Sequence, residues 1–263
     1  MKSFESITIV GISGYTSGVE ILPSLLRSHQ ELPNTKLLLL SLEKPNQLDS
    51  SIQWKKIYPL NYFQYNLFLF HCLNRFIDTE YVLIVQDDGW IINGQAWDDE
   101  YFEYDYIGAP CHAALIDGNL HKNYTWVKHV DKNYRYIVQN GGVSLRSKKM
   151  LNLPTQIGLV FPNGNEDVII SSIYKDQLMK HGINFANTEQ ALHFSVEYLG
   201  PKIHDNINFK TLLAIHGQSR KLIGINLVKI LYSKNRIKSI YREVELINTL
   251  KDLNFNIEYV IDT

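Results

Sequence analysis

An apolar run that ends in two aspartates constrains this chain more than any other segment. Residues 81–85 are a tyrosine and four aliphatic residues, and Gln86, Asp87, Asp88 and Gly89 follow directly. A nearly continuous apolar run of this length is typical of a strand buried on both faces of a parallel sheet. Ligands of open α/β sheets bind outside the carboxyl ends of such strands.

Neighbouring carboxylates at that end oppose each other's ionisation unless a cation lies beside them. A divalent metal that carries a phosphorylated ligand would neutralise the negative charge of Asp88 and, with it, that of Asp87. The alternative is a simple turn that ends the strand, because Asp and Gly both favour turns.

The first half of the chain has a strand–helix–strand pattern. We expect a strand over residues 7–12, a helix over 19–29 and a second strand over 36–42, which predicts the start of a doubly wound sheet. Ser13 and Gly14 would then lie at the carboxyl end of strand one. The glycines in this region do not have the spacing of a dinucleotide fingerprint, so a nicotinamide or flavin site is not expected.

Composition excludes several classes of protein. The chain has 263 residues, 45% of them apolar and 20% charged, as in ordinary globular proteins. Its formal net charge of −1 argues against a general nucleic-acid binder. Two cysteines without a CxxC pair suit a reducing compartment, and the first residues lack an apolar signal-peptide core. We therefore expect a cytoplasmic protein.

The middle of the chain is polar and irregular. A short strand should end at Pro110, and residues 111–135 are predicted to be a long loop, either a lid facing an acceptor or a disordered segment. Asn140-Gly141-Gly142 permits close backbone approach, which suits the floor of a sugar site or a tight turn.

Two later motifs carry further candidate residues. Glu166 and Asp167 follow a Pro-Asn-Gly-Asn turn and should open a helix to about His181. An acidic residue near a helix start is also a common structural preference. His216 precedes a glycine and is either a metal ligand or a histidine bonded to backbone, and His204 is a rival for the ligand role.

The C-terminal segment is strongly basic. Residues 217–242 contain seven Lys or Arg and no Asp or Glu. This pattern predicts a basic amphipathic helix, either packed on the domain with a solvated basic face or lying on an anionic membrane. Another helix and a last strand over 256–261 should follow. We divide the chain into a domain over 1–217 and a basic helical extension over 218–263.

The order of these motifs resembles the GT-A fold of nucleotide-sugar-dependent glycosyltransferases. The closer likeness is to a microbial group of that fold with QDDG, NGG and ED motifs, over roughly residues 7–217. The likeness rests on the runs YVLIVQDDGWIIN, AWDDEYFEYDYIGAP, QNGGVSLRSKK and NEDVIIS. It implies a GT-A-like, Rossmann-like α/β fold with a mostly parallel central sheet flanked by helices, and a C-terminal helical tail lies beyond it.

The resemblance also implies roles for individual residues. Gln86-Asp87-Asp88 stands in place of the DxD motif and departs from it at Gln86, so Asp88 is the expected direct metal ligand. His216 would complete a Mn²⁺ or Mg²⁺ site, and Asp167 would be the catalytic base of an inverting enzyme, supported by Glu166. The expected donor-binding residues are Ser13, Gly14, Gln86, Asp87, Asn140, Gly141 and Gly142.

This resemblance implies a metal-dependent, inverting glycosyltransferase. Its donor would be a nucleoside-diphosphate sugar, first of all a UDP-sugar. Its acceptor would be a surface polysaccharide or lipid-linked oligosaccharide at the cytoplasmic membrane face, with peripheral membrane contact through 217–242. Two alternatives stay open: a non-catalytic glycan-binding module, which Gln86 favours, and a sugar nucleotidyltransferase, which should carry a glycine-rich, basic phosphate loop after strand one.

Overall fold

Helices flank a central seven-stranded sheet in this α/β protein. The computed structural model describes residues 3–116, 119–122, 134–201, 203–224, 229–236 and 241–261. The strands are β1 (Ile7–Ile12), β2 (Lys36–Ser41), β3 (Ile52–Lys56), β4 (Tyr81–Val85), β5 (Gly89–Ile91), β6 (Tyr106–Ile116), β7 (Asn119–Lys122), β8 (Tyr134–Ser147), β9 (Ser195–Val196), β10 (Ala214–His216), β11 (Arg220–Ile223), β12 (Lys229–Ser233) and β13 (Asn256–Val260). The α-helices are α1 (Leu22–Glu31), α2 (Tyr62–His71), α3 (Lys148–Gln156), α4 (Glu166–Val168), α5 (Lys175–Lys180), α6 (Thr188–Phe194) and α7 (Glu243–Asp252).

The large sheet has the strand order β3-β2-β1-β4-β8-β6-β7. The first four strands pair in parallel. β8 is antiparallel to β4, and β6 is antiparallel to β8, so β6 runs in the direction of the first four. Five of the seven strands, β1 to β4 and β6, therefore run in one direction. The predicted α/β class, with a mostly parallel sheet flanked by helices, is confirmed.

Alternate residues of the central strands pack on opposite faces of this sheet. Ile9 and Leu83 lie in a cluster with Leu25 of α1. Val10 and Ile84 lie in a second cluster on the α2 side. The period of two in strand geometry produces this division. Burial on both faces, expected for the run before the two aspartates, is confirmed, because Val82 to Val85 are all buried.

The strand that begins at Tyr106 is longer than predicted. Pro110 does not end β6, which continues to Ile116. The proline lies between two irregularities in the pairing of β6 with β8, a position where a missing backbone N–H is tolerated. The expected loop over 111–135 is therefore wrong where β6, β7 and the start of β8 are described. Residues 117–118 and 123–133 lie outside the described residues, and the acceptor-facing lid stays a prediction.

The prediction of a basic helix over 217–242 is wrong where β11 and β12 are described. β11 and β12 form an antiparallel pair, and β13 adds to β12 in parallel. In β11, Arg220 and Leu222 are buried and Lys221 is exposed, which is the alternation of a strand. Gly224 then turns the chain with a φ of 79°. Short apolar runs do not distinguish a buried strand from a helix by periodicity alone.

The last helix and strand agree with prediction, as α7 and β13. The extension also shares a core with the preceding chain, because Leu222 and Leu246 cluster with Trp90 and Ile215. A domain boundary after residue 217 stays a prediction. Among the described residues, every helix is too short or too polar to cross a bilayer.

Candidate functional site

The two aspartates form a tight turn at the carboxyl end of β4. The backbone of Gln86 and Gly89 exchanges two hydrogen bonds of 3.1 Å, which leaves Asp87 and Asp88 at the tip. The chain then enters β5. The turn that the sequence predicts as an alternative is therefore present. It places Asp87 and Asp88 at the sheet edge where open α/β folds generally bind ligands.

His216 lies directly against this turn. β10 pairs antiparallel with β5, with His216 opposite Gly89. The imidazole Nε2 lies 3.2 Å from Oδ1 of Asp88 and 3.2 Å from Oε1 of Gln86. A β-bridge thus brings together two residues that are far apart in the sequence.

Asp88 and His216 form an ion pair in which the imidazole is buried and the carboxylate is half-buried. Burial lowers the pKa of His216, but the adjacent Asp88 carboxylate outweighs burial and raises that pKa to about 9. Burial raises the pKa of Asp88, but the charge and hydrogen bond of His216 outweigh burial, so this pKa lies below its ordinary value. Within the described chain, Nδ1 of His216 is buried without a hydrogen-bond partner. This donor set is one carboxylate and one imidazole, with the Gln86 carbonyl beside them.

The donor set fits a divalent cation only if substrate supplies further ligands. No group of three or more His, Cys, Asp or Glu suited to a metal occurs among the described residues. Mg²⁺ is usually held by one or two carboxylates together with substrate phosphates. Imidazole is a suitable additional ligand for several transition metals. Asp88, together with His216 once its imidazole has lost a proton, therefore fits a cation that arrives with a phosphorylated ligand.

The Asn-Gly-Gly segment of β8 lies beside His216. A Cβ on Gly142 would stand 2.2 Å from Nε2 of His216, so only glycine fits there without movement. The side chain of Asn140 turns back and accepts a hydrogen bond of 2.6 Å from the Gly142 N–H. The close approach predicted for this motif is thus explained by the histidine.

The same segment meets the acidic pair on its other side. The N–H of Gly141 donates to Oδ2 of Asp167 at 3.1 Å. Oδ1 of Asp167 accepts from the N–H of Val168 at 2.7 Å. A Cβ on Gly141 would stand 3.0 Å from Oε2 of Glu166. Gly142 therefore contacts His216, and its neighbour Gly141 contacts the acidic pair.

Glu166 and Asp167 have different surroundings. Glu166 is 2% exposed and pairs with Arg146, which is 0% exposed. Burial raises the pKa of Glu166, and the Arg146 guanidinium offsets part of this rise. Asp167 is half-buried, so its carboxylate is the one that solvent and ligands can reach. The helix predicted to about His181 is present as α4, a π-helix over Ile169–Ile173, and α5.

Helix α2 connects the two halves of the site. Asn66 accepts a hydrogen bond of 2.8 Å from the N–H of Glu166. Tyr65 accepts one of 3.0 Å from Nε2 of Gln86. Sequence reasoning missed these residues and Arg146. The available signal was the spacing of Tyr62, Tyr65 and Asn66, which are three and four residues apart and so share one face of α2.

The basic extension contributes to the site through Lys221. Its ammonium lies 2.9 Å from Oδ2 of Asp87. This hydrogen bond raises the pKa of Lys221, and the charges of Glu20 and Asp88 add to it. The backbone N–H of Leu222 also donates to the carbonyl of Asp87 at 3.1 Å. Strand β11 thus covers the turn that carries the aspartates.

Ser13 and Gly14 lie at the carboxyl end of β1, as predicted. The Ser13 hydroxyl lies 2.7 Å from Oγ1 of Thr16 and 3.1 Å from Glu20. A Cβ on Gly14 would stand 2.7 Å from the Leu60 carbonyl oxygen, so glycine permits that contact. These two residues therefore shape the loop between β1 and α1, and Glu20 connects this loop electrostatically with Lys221.

A cavity of about 740 Å³ opens beyond this loop. Residues from the β1–α1 loop, the segment after β2 and the end of β11 line it, among them Ser17, Val19, Glu43, Asn46, Gln47 and Gly224. β11 therefore leads from Lys221 at the aspartate turn to Gly224 at the cavity. Gly224 lies one residue beyond β11 and three residues after Lys221, so at ~3.3 Å per residue the two positions are at most about 10 Å apart.

Comparison with known proteins gives one family and several similar structures. Residues 53–216 match the family described as "Protein of unknown function (DUF5672)". A search of curated proteins gives no match.

Among solved structures, the chain is similar to the galactosyltransferase LgtC in complex with donor and acceptor sugar analogues. The identity is 15% and the TM-score 0.46, over 81% of this chain and 86% of that chain. It is also similar to S. aureus TarS, with 13% identity and a TM-score of 0.40 over 71% of this chain and 62% of that chain. For TarS in complex with UDP-GlcNAc the identity is 12% and the TM-score 0.38, over 63% of this chain and 52% of that chain. Because these TM-scores are under 0.5, the function proposed below rests on the residues around Asp88, His216 and Asp167.

Proposed function

The chain belongs to the DUF5672 family. From the geometry around Asp88, His216 and Asp167 we propose that it is a glycosyltransferase. The reaction would move a sugar from a nucleoside-diphosphate sugar to a glycan acceptor. One observation carries this proposal. A two-glycine segment has a carboxylate–imidazole pair suited to a metal diphosphate on one side and a reachable carboxylate, Asp167, on the other.

Asp88 and His216 would hold Mn²⁺ or Mg²⁺ together with the donor diphosphate. Such a cation neutralises the negative charge of the diphosphate leaving group. Lys221 lies at the same turn and could transfer its ion pair from Asp87 to a phosphate oxygen, which would leave Asp87 free for donor hydroxyls. Gln86, Gly141 and Gly142 surround the same space and would contact the donor.

Asp167 would take the proton of the acceptor hydroxyl in an inverting transfer. It has the exposure that Glu166 lacks, and the N–H groups of Gly141 and Val168 hold its carboxylate in place. General bases of this kind contribute about 10²–10⁴-fold in rate. Glu166, paired with Arg146, would position this carboxylate and the glycines without touching the acceptor.

The cavity beyond the β1–α1 loop would take the nucleoside, a UDP-sugar being our first candidate donor. Gly224 at its wall lies only three residues after Lys221 at the aspartate turn, so one nucleotide could extend from the cavity to that turn. Ser13 and Gly14 would shape the wall between them. A surface polysaccharide or lipid-linked acceptor, and a place at the inner face of the membrane, stay predictions.

The test is metal-dependent hydrolysis of UDP-, GDP-, dTDP- and CMP-sugars without an acceptor. We expect slow Mn²⁺-dependent hydrolysis of one donor class, and loss of both hydrolysis and Mn²⁺-dependent UDP affinity in Asp88→Asn. Asp78→Asn is the matched control, because Asp78 is exposed and precedes the opposite end of β4. Turnover insensitive to EDTA, or an unchanged UDP affinity in Asp88→Asn, would contradict the proposal.

A second variant tests the base. Asp167→Asn should retain the UDP affinity and lose transfer by about 10²–10⁴-fold once an acceptor is known. If Asp167 only favours the start of α4, this variant should transfer sugar at the wild-type rate and lose roughly 0.3–1 kcal/mol of stability.

A glycan-binding module without catalysis is the second candidate. The Gln86 amide favours this candidate. Its oxygen lies 3.2 Å from His216, and its nitrogen donates to Tyr65 at 3.0 Å. These two contacts hold a neutral side chain at a position where a metal site would need an acidic ligand. Donor binding without any hydrolysis across the panel would support this candidate.

A further inference from the structure

The first turn of α2 lies against the start of the acidic pair. The Tyr62 hydroxyl donates to Oδ1 of Asn165 at 2.9 Å, one turn before the contact between Asn66 and Glu166. Asn165 is the N-cap residue of α4, but its side chain makes no capping bond to that helix. An asparagine at this position ordinarily caps its own helix. Here it holds the Tyr62 hydroxyl instead.

The Tyr62 ring is both exposed and fixed. The side chain is 62% exposed, although its hydroxyl is bound. A capping box between Asn61 and Gln64 fixes the backbone of this helical turn. The neighbouring ring of Phe63 packs edge-on against Phe161 with centroids 5.6 Å apart. A ligand stacking on Tyr62 would therefore order few additional groups.

Asp167 lies within electrostatic reach of the same ring. After burial, the Asp167 charge is the largest influence that raises the pKa of Tyr62, followed by a smaller contribution from Glu166. Because the Tyr62 hydroxyl also binds Asn165, two residues before Asp167, an exposed aromatic ring lies near a half-buried carboxylate. A pyranose matches this pair, because its C–H face is apolar and its rim carries hydroxyl donors. An anionic ligand would be repelled by Asp167.

We propose that Tyr62 is a stacking platform for an uncharged acceptor sugar, whose hydroxyl it presents to Asp167. The proposal rests on the glycosyltransferase function given above and adds an acceptor subsite to it. Tyr62 is a specificity-determining contact outside the donor and metal residues.

The experiment measures sugar binding without requiring transfer. The full chain, with UDP and Mg²⁺, is titrated with neutral methyl pyranosides and disaccharides, and saturation-transfer NMR records contact with ring protons. Four proteins are compared: wild type, Tyr62→Leu, Tyr62→Phe and Tyr259→Leu. Tyr259 is a suitable control because it is 47% exposed and lies in the C-terminal sheet. Melting temperatures establish that each variant is folded.

We expect a signal in the wild type, an affinity lower by about 2- to 12-fold in Tyr62→Leu, and near wild-type affinity in Tyr62→Phe and Tyr259→Leu. Equal affinities in wild type and Tyr62→Leu would overturn the proposal, as would equal losses in the Phe and Leu variants, which would make the hydroxyl contact alone responsible. A dimer that only Tyr62→Leu disrupts, with no sugar signal, would assign the ring to a self-interface.

Donor hydrolysis on the same samples separates the two proposals. Hydrolysis that persists without a sugar signal contradicts only the Tyr62 subsite. A sugar signal without hydrolysis of any donor contradicts the transferase and supports the binding module.

Discussion

The buried pair between Arg146 and Glu166 predicts an unequal response to loss of either partner. Both side chains are almost fully buried. Breaking such a pair typically costs about 3–5 kcal/mol, because the remaining charge is uncompensated. Glu166→Gln leaves a guanidinium that cannot lose its proton. At about 2–4 °C per kcal/mol for a chain of this size, the melting temperature should fall by about 6–20 °C.

Arg146→Met leaves a carboxylate, which can escape the penalty by taking up a proton. Burial already raises the pKa of Glu166 in the intact pair, and loss of Arg146 should raise it further. The folded state then binds more protons than the unfolded state, so stability is lost as pH rises through this window. The deficit of Arg146→Met relative to wild type should therefore be smaller at pH 5 than at pH 8, while that of Glu166→Gln should not shrink.

The assay is urea and thermal unfolding of both variants and of Arg146→Met/Glu166→Leu at the two pH values. The double variant should recover much of the loss, because apolar residues of similar volume often replace a buried pair without net cost. A Glu166→Gln protein that melts within about 2 °C of wild type would refute the reasoning. So would a double variant no more stable than the weaker single one.

Three further predictions concern other parts of the molecule. Gly142→Ala places a Cβ 2.2 Å from Nε2 of His216 and should lower the free energy of unfolding by about 1–3 kcal/mol. The imidazole resonance of His216 should shift in NMR spectra, and an unchanged resonance would contradict the close contact. Burial lowers the pKa of Lys175 to about 8 from the ordinary value of 10.5. Between these two pH values the unfolded chain binds more protons than the folded chain, so the free energy of unfolding should rise with pH. Lys175→Met should abolish that rise and raise the melting temperature at pH 7. If residues 217–242 contact membranes, sedimentation of the protein with vesicles should increase with their phosphatidylglycerol content and decrease with salt. Glu258→Gln, which frees Lys229 from its ion pair, should increase this sedimentation. Equal sedimentation with neutral vesicles would exclude the contact.

The elements that position the site could be predicted from local patterns. Runs of apolar residues identify β1, β2 and β4, because strands buried on both faces need them. The carboxyl end of β4 then follows as the place for Asp87 and Asp88. The turn before Glu166 likewise indicates a helix start, and the paired glycines indicate a close approach without naming its partner.

The partners of those residues depended on the tertiary structure. His216 meets Asp88 only because β10 pairs with β5, a register that no local pattern encodes. Arg146 looks like a surface residue in sequence, yet the fold buries it against Glu166. In the basic segment, Arg220, Lys221, Lys229 and Arg242 each pair with a carboxylate from outside residues 217–242. Periodicity predicts which face of an element is buried, but strand pairing decides which charges meet across it.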